Sequence, residues 1–310
     1  MKYTRLLMAA SLGMLAACSG LNEAVQDGEL VEQVIFEVPV LRSLGEDGAT
    51  RASFILDEDD AVHFAWEATD TVGIYPDQGS QIYFEMTDGA GTNTAIFDGG
   101  GWALRKESTY SCYFPFAGSI YLKRDAIPVS FANQKQVGVS NYEDVRIYLA
   151  SESTKSSSGA LRFSFQYLNT IIRIRPVGLP AGMYTKLSIS TEEPLFVQKG
   201  SFGLDDMTIV GEVFSNSLEV SLKDFTLTEA SSDENPVFVF LTSAPVDLTG
   251  KTVTVQVLSE DGIVYTCEKT PSYAYEVGSW GALRCEMKKI EPEPVGNMEG
   301  LDDPGDEIDI

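Results

Sequence analysis

Apolar and polar residues alternate over most of this chain, from about residue 32 to residue 290. The alternation has a period of two, which places successive side chains on opposite faces of a β-strand. Gly, Asp, Asn and Pro interrupt it, as is typical of turns between short strands. The clearest alternating runs are 62–66, 82–86, 110–116, 145–149, 161–167, 253–257, 263–267 and 283–287. No long segment follows the 3.6-residue period of a helix, so the pattern predicts an all-β chain.

The first predicted strand covers residues 32–41. The apolar face that it would bury consists of Val34, Phe36, Val38 and Val40. Ile35 is the exception on the opposite face. Because Pro39 has no N–H to donate, we expect this strand at the edge of a sheet. The polar stretch 43–50 contains two glycines, which predicts an exposed loop open to proteases.

Shifts in composition divide the chain into segments. Residues 153–159 read Ser-Thr-Lys-Ser-Ser-Ser-Gly, which predicts a linker between a domain at 32–152 and a domain at 160–290. The regular spacing of short strands predicts that both are antiparallel β-sandwiches in tandem. Residues 291–310 hold eight acids, three prolines and no base, which predicts a disordered acidic tail.

The N-terminus has the organisation of an export signal. Lys2 and Arg5 precede an apolar run at 6–17 that is too short to span a bilayer. The run ends in Leu-Ala-Ala before Cys18, which resembles the lipobox of bacterial lipoproteins. That resemblance implies a signal peptide at 1–17, lipidation of Cys18 and a flexible segment at 18–31. An ordinary secretory peptide cut nearby is the alternative, and both exclude a cytoplasmic protein.

Charge and cysteine content narrow the function classes. The chain has 22 basic and 46 acidic residues, a net charge of −24. Such a surface does not suit nucleic acid, so we expect no nucleic-acid partner. Beyond Cys18 three cysteines remain, an odd number that does not form a complete disulfide framework. Cys267 and Cys285 lie in neighbouring predicted strands, and two alternatives stay open: a disulfide between them, or small buried thiols.

No residue pattern indicates catalysis. His63 is the sole histidine, and nothing in the sequence marks a nucleophile and an acid around it. Zinc-ligand spacing and a phosphate-binding glycine loop are both missing from the sequence. The acidic runs 57–60 and 205–206 match no EF-hand and are interpreted as solvated loops. We therefore expect no catalytic residue, no metal and no cofactor.

Three stretches carry a resemblance to a known family. The pair Thr50-Arg51 is followed by Trp66 and then by Asp-Thr-Val-Gly-Ile-Tyr at 70–75. Thr69 stands where members of that family usually have glycine. Residues 108–116 follow the pattern Tyr-x-Ala-Tyr-Tyr-Pro-Tyr loosely. Residues 161–174 match the strand that opens a second domain, with Gln166 or Tyr167 replacing the customary histidine. Together these resemble the fimbrillins, the lipoprotein subunits of type V pili in anaerobic gut and oral bacteria.

The resemblance implies two transthyretin-like β-sandwiches, outer-membrane export with an acyl anchor such as palmitate on Cys18, and assembly by strand exchange. An arginine-specific protease would cut between Arg51 and Ala52, with Arg42 as the alternative site. The strand carrying Val34, Phe36, Val38 and Val40 would leave, and the C-terminal strand of another pilin subunit, identical or different, would replace it. The acidic tail of this chain does not suit a donor strand, so stalk, tip and accessory positions all stay open.

Three functions follow from these observations. The first is a fimbrial subunit or adhesin at the cell surface. The second is a surface lipoprotein that binds host or bacterial glycans or matrix without polymerising, which exposed aromatic residues on one face would favour. The third and weakest is a hydrolase, which a cleft with close carboxylates of shifted pKa would favour.

Overall fold

The computed structural model describes residues 29–44, 55–56, 62–141, 145–157 and 159–290. Every regular element in these ranges is a β-strand, which confirms the all-β prediction. No helix in the described ranges has the length and apolar content needed to cross a membrane. The strands of these ranges are β1 (Gln33–Glu37), β2 (Arg42–Leu44), β3 (Ile55–Leu56), β4 (Val62–His63), β5 (Thr71–Pro76), β6 (Ile82–Asp88), β7 (Thr94–Asp98), β8 (Tyr110–Phe114), β9 (Ile127–Ser130), β10 (Gln134–Val137), β11 (Leu149–Thr154), β12 (Ala160–Tyr167), β13 (Thr170–Val177), β14 (Gly182–Ser190), β15 (Phe196–Phe202), β16 (Ile209–Ser215), β17 (Ser217–Leu227), β18 (Val239–Ser243), β19 (Val253–Ser259), β20 (Val264–Lys269), β21 (Ser279–Glu286) and β22 (Lys288–Lys289).

Seven strands of the first half form a closed sheet. Their order is β1-β12-β11-β8-β5-β6-β7, and β1 returns to pair with β7. The side chains inside it form one hydrophobic core, whose largest members include Trp66, Phe36 and Phe163. A short antiparallel pair, β3 with β4, lies outside this ladder.

The second half surrounds a separate core with three sheets. A six-stranded sheet has the order β10-β17-β14-β19-β20-β22, a four-stranded sheet β18-β13-β21-β2, and a three-stranded sheet β16-β15-β9. Residues from all three contribute to the second core, among them Val220, Ile174 and Phe202. The fold is thus a tandem arrangement of two cores, as the spacing of the strands predicted.

Alternation identified the buried faces correctly where strands are long. In β12, Leu161, Phe163, Phe165 and Tyr167 are buried, while the residues between them are exposed. Most ladders are antiparallel, but four pairings in the described part of the chain are parallel: β1 with β12, β2 with β21, β10 with β17 and β13 with β21. Each joins strands far apart in sequence, because parallel neighbours need a crossover connection.

The boundary between the two halves differs from the predicted one. Residues 153–159 include the end of β11 and lead into β12, and these strands pair with each other inside the closed sheet. The segment is therefore a connection within the first half. Conversely, β9 and β10 pair with β15 and β17 of the second half. Composition marks a turn, but long-range pairing decides which sheet a strand joins.

The four-stranded sheet is shared by both cores. Ile171, Phe240 and Trp280 belong to the first core, whereas their neighbours Ile172 and Leu241 belong to the second. Because successive residues of a strand point to opposite faces, one sheet contributes to two cores.

Candidate functional site

The first strand, β1, completes the closed sheet. It pairs in parallel with β12, from Gln33 opposite Ala160 to Glu37 opposite Ser164, and antiparallel with β7 on its other side. The prediction of an edge strand was therefore wrong. Pro39 lies beyond the last residue of β1, so its missing N–H leaves both ladders intact.

The buried face of this segment is close to the predicted one. Val34, Phe36 and Val38 are buried, as expected. Val40 is 50% exposed, which corrects its assignment to the buried face. The alternation stops because β1 ends before it, and Leu41 is buried instead. Ile35, on the opposite face, is buried too.

Phe36 lies at the centre of an aromatic cluster. Its ring stacks on Phe163 with 5.0 Å between centroids, and it meets Phe97 edge-on at 4.7 Å. Trp66 packs edge-on at 6.3 Å. Aromatic pairs at these separations add about 0.5–1.5 kcal/mol each beyond the burial of their area. The first strand therefore holds the centre of the core and is not a peripheral cover.

Hydrogen bonds fix the chain on both sides of β1. They run from Val31 N to Leu104 O at 2.8 Å, from Gln33 N to Gly159 O at 3.1 Å, from Val38 N to Asn93 O at 3.0 Å, from Asn93 Nδ2 to Val38 O at 3.2 Å and from Tyr167 Oη to Pro39 O at 3.0 Å. The attachment thus extends well beyond the five residues of the strand.

After β1 the chain crosses to a second sheet. β2 pairs in parallel with β21, with Arg42 opposite Ser279 and Leu44 opposite Gly281. We call residues 29–44 the N-terminal segment. It supplies one strand to the closed sheet and one to the four-stranded sheet, a feature that alternation within the sequence did not reveal.

Several predicted sites lie outside the described residues. These are the signal peptide at 1–17, the lipidation site Cys18, the cleavage pair Arg51 and Ala52, and the tail at 291–310. The backbone of Arg42 belongs to β2, and the backbone of His63 belongs to β4, opposite Ile55.

The described part of the chain contains neither a metal site nor a disulfide. Among its residues, no group of three or more His, Cys, Asp or Glu is arranged to hold a metal ion. Cys112, Cys267 and Cys285 are free thiols, so the disulfide alternative is not formed in this structure. Burial, together with the adjacent Cys267 thiol, raises the pKa of Cys285.

Asp70 has a perturbed carboxyl group. Burial raises its pKa to about 6, although its carboxylate accepts a hydrogen bond from Glu67 N at 2.8 Å. Asp70 lies in the turn before β5, where its own N donates to Glu67 O at 2.9 Å. Its shift therefore reflects the burial of a turn residue.

A surface cleft of about 470 Å³ lies between the end of β5 and the loop before β9. Tyr121 stands beside it with 86% of its surface exposed, and Asp77, Arg124 and Asp125 line it. Sequence reasoning missed this cleft, because the two loops that form it are joined by contacts between residues far apart in the sequence, such as the hydrogen bond that Tyr75 Oη donates to Leu122 O at 2.8 Å.

No protein-family model and no curated protein matches this sequence. Among solved structures, a candidate cell adhesion protein from Bacteroides ovatus is similar, with a TM-score of 0.51 and 15% identity over 84% of this chain and 95% of that one. A candidate cell adhesion protein from Bacteroides uniformis has a TM-score of 0.49 and 14% identity, over 73% and 91%. A fimbrial protein from Bacteroides ovatus has a TM-score of 0.41 and 8% identity, over 82% and 48%. The first comparison shows that this chain shares the fold of the Bacteroides ovatus adhesion candidate.

Proposed function

We propose that this protein is a fimbrial subunit or adhesin of the fimbrillin type, anchored at the outer membrane through Cys18 and joined to other pilin subunits by strand exchange. The observation that carries the proposal is the N-terminal segment, which contributes one strand to each of two sheets. The fold shared with a candidate cell adhesion protein supports a role at the cell surface.

The attachment of β1 determines how exchange would proceed. Burial of Val34, Ile35, Phe36 and Val38 contributes roughly 6–12 kcal/mol as an upper estimate, and two ladders add to it. Cleavage alone therefore leaves the strand in place. Release occurs as a donor strand takes over the pairing with β12 and β7, by β-augmentation.

Two arginines are candidates for the cut, and the pairing of β2 argues against Arg42. A protease binds its substrate as an extended, unpaired chain, whereas the backbone at Arg42 is paired with β21. A cut after Arg42 would also leave most of β2 attached to the body of the protein. A cut after Arg51 separates β1 and β2 together from the rest of the chain, and their later release would open the groove between β12 and β7 and the edge of β21.

The test is to treat the purified full chain with an arginine-specific protease. We expect cleavage between Arg51 and Ala52, with the N-terminal fragment still bound in native mass spectrometry. Addition of partner pilins should then release the fragment and produce SDS-resistant ladders. Arg51→Lys should resist the protease, and Arg42→Lys, the matched control, should be cut as the wild type is.

Two results would contradict this scheme. Release of the fragment within minutes and without a partner would show that β1 is not held as described. Clean cleavage that yields only monomers in the presence of partner pilins would rule out a polymerising role.

The proposed anchor has its own test. Cys18→Ala should move the protein from the membrane fraction to the soluble fraction, because the acyl chains would be lost. Mass spectrometry of the wild type should show a fatty acid such as palmitate on Cys18. A membrane-bound mutant together with an unacylated wild type would show that the anchor is wrongly assigned.

We also propose that the protein is not an enzyme. His63→Ala should leave the melting temperature and any binding almost unchanged. Loss of a measured hydrolytic activity in this variant, with the fold intact, would overturn the assignment.

Glycan binding is the second candidate function, and the cleft beside Tyr121 favours it. An exposed tyrosine ring can stack on a sugar face, while carboxylates such as Asp77 and Asp125 accept hydrogen bonds from hydroxyl groups. Tyr121→Ala should abolish binding on a glycan array. Trp102→Ala, an exposed aromatic outside the cleft, should not. Equal loss in both variants would contradict a glycan site in this cleft.

A further inference from the structure

The edges of the sheets differ in how they are protected. An edge strand presents unpaired N–H and C=O groups that another chain can pair with. In the described part of the chain, the closed sheet has no edge, while β18 is one of the two edge strands of the four-stranded sheet and β16 is one of the two edge strands of the three-stranded sheet.

Two buried glutamines of β10 cover the edge of β18. Gln134 Oε1 accepts from Thr242 N at 2.7 Å, and Gln134 Nε2 donates to Thr242 O at 2.8 Å. Gln136 Oε1 accepts from Phe240 N at 3.0 Å, and its Nε2 donates to Phe238 O at 3.1 Å. The side-chain amides replace a neighbouring strand, so this edge is closed to other chains.

β16 is arranged differently. It has seven residues, and β15 is its one ladder partner. It also exposes apolar side chains, with Val210, Val213 and Phe214 all about half exposed. A long edge with apolar side chains is a site for pairing with another strand.

A groove of about 700 Å³ runs beside β16. Its walls are β16 and the turns at 244–247 and 274–277, and most of its surface is apolar. The apolar lining includes Val197, Ile209, Phe214, Pro245, Val246 and Val277. An added strand would thus gain backbone pairing and a groove for alternate side chains.

The charge of the residues that line the groove indicates which kind of partner it can bind. The charged residues that line it are Asp247 and Glu276, both acidic. A second copy of this chain, with a net charge of −24, would be repelled. A segment with lysine or arginine beside its apolar residues has the complementary charge.

We propose that β16 and this groove bind an extended segment of a partner protein, in which apolar residues alternate and basic residues flank them. The segment adds a strand to β16. None of the residues that line the groove belongs to the N-terminal segment, and use of this site requires no cleavage at Arg51.

The experiment measures binding of a fluorescent peptide to the uncleaved full chain by anisotropy. The peptide alternates valine and threonine and carries a lysine at each end. We expect saturable binding that weakens as salt is added. The same peptide with alternate backbone amides methylated should not bind. A version with glutamate ends should bind at least about tenfold more weakly, a difference of about 1.4 kcal/mol.

Variants distinguish the contribution of the groove to peptide binding from that of the rest of β16. Phe214→Ser removes an apolar wall and should weaken binding about tenfold, as loss of a central aromatic contact does. Val210 lies on the same strand but does not line the groove, so Val210→Ser is the matched control and should bind normally. Asp247→Asn combined with Glu276→Gln should reduce the preference for lysine over glutamate ends. Circular dichroism melting confirms that each variant is folded.

Each of the following results would overturn the proposal: no saturable binding of the lysine peptide up to millimolar concentration, equal binding of the methylated peptide, normal binding by folded Phe214→Ser, or equal loss in Val210→Ser. Equal affinity for lysine and glutamate ends would overturn the assigned charge of the partner.

Discussion

Individual residues here derive their roles from neighbours far away in the sequence. Arg173 is 7% exposed, and its guanidinium carbon lies 4.6 Å from the ring centroids of both Phe238 and Trp280. Stacking between two aromatic faces offsets the cost of burying a cation. The residue lies in β13 of the four-stranded sheet, where the two cores meet. An arginine within an apolar run thus joins Trp280 of β21 to Phe238, the residue before β18.

The carboxyl group of Asp70 makes the stability of the fold depend on pH. Its pKa in the folded protein, about 6, is above the ordinary value of 3.8. The folded state therefore binds the proton more tightly than the unfolded state does. The stabilisation by protonation is complete below about pH 3.8 and is lost as the pH rises through 6.

Asp70→Asn retains an oxygen to accept from Glu67 N and removes the buried charge. After allowance for solvent screening, we expect it to stabilise the protein by about 1 kcal/mol at pH 7.5 and by almost nothing at pH 4. Urea unfolding at both pH values measures this. Asp98→Asn is the control, because it changes an exposed carboxylate at the end of β7 that also accepts a hydrogen bond from a backbone N–H, that of Gly100 at 2.7 Å. Equal stability of wild type and Asp70→Asn at pH 7.5 would show that the Asp70 carboxylate is not destabilised by burial.

At the scale of elements, the neighbours of each strand decide whether another chain can pair with it. β1 pairs on both sides and so closes its sheet, β18 is covered by glutamine side chains, and β16 remains open. These three strands have similar apolar content in the sequence. Their different availability follows from what lies beside each one in the fold.

The glutamine cover of β18 yields a second prediction. Gln136→Leu leaves Phe240 N and Phe238 O without their side-chain partner, which should destabilise the protein by about 2–4 kcal/mol. It should also increase aggregation, because the edge becomes open. Thermal melting and light scattering measure the two effects. Lys135→Leu, at the exposed position between the glutamines, should change stability by less than about 1 kcal/mol, because contacts of an exposed lysine contribute little.

If Gln136→Leu melted at the wild-type temperature and stayed monomeric, the hydrogen bonds of the cover would contribute nothing to stability or solubility. Gln134→Leu tests the same edge independently, since it removes the partner of Thr242.

At the scale of the whole molecule, the two halves share structure in two ways. The N-terminal segment contributes to a sheet of each half, and the four-stranded sheet contributes residues to both cores. A shared sheet couples the stability of the two cores, because neither face remains packed when the sheet unfolds. We therefore expect the two cores to fold and unfold as one unit.

This coupling predicts a single unfolding transition. Calorimetry of the uncleaved protein should show one peak, with calorimetric and van't Hoff enthalpies that agree. Trp280→Ala removes a buried side chain of the shared sheet and should lower the melting temperature by several degrees without splitting the peak. Two resolved transitions in the wild type would show that the halves unfold independently.

The sequence by itself indicated an all-β chain and, in the long alternating runs, the residues that face inward, because the period of two is a local property of extended backbone. It identified Val34, Phe36 and Val38 as buried and the second-half runs such as 253–257 as strands. Tertiary structure decided which strands are neighbours. It placed β1 between two partners despite Pro39, exposed Val40, moved β12 into the first half and inserted β2 beside β21. The physical reason is that ladders, edges and grooves form between strands distant in sequence, and alternation within one strand contains no information about its partner.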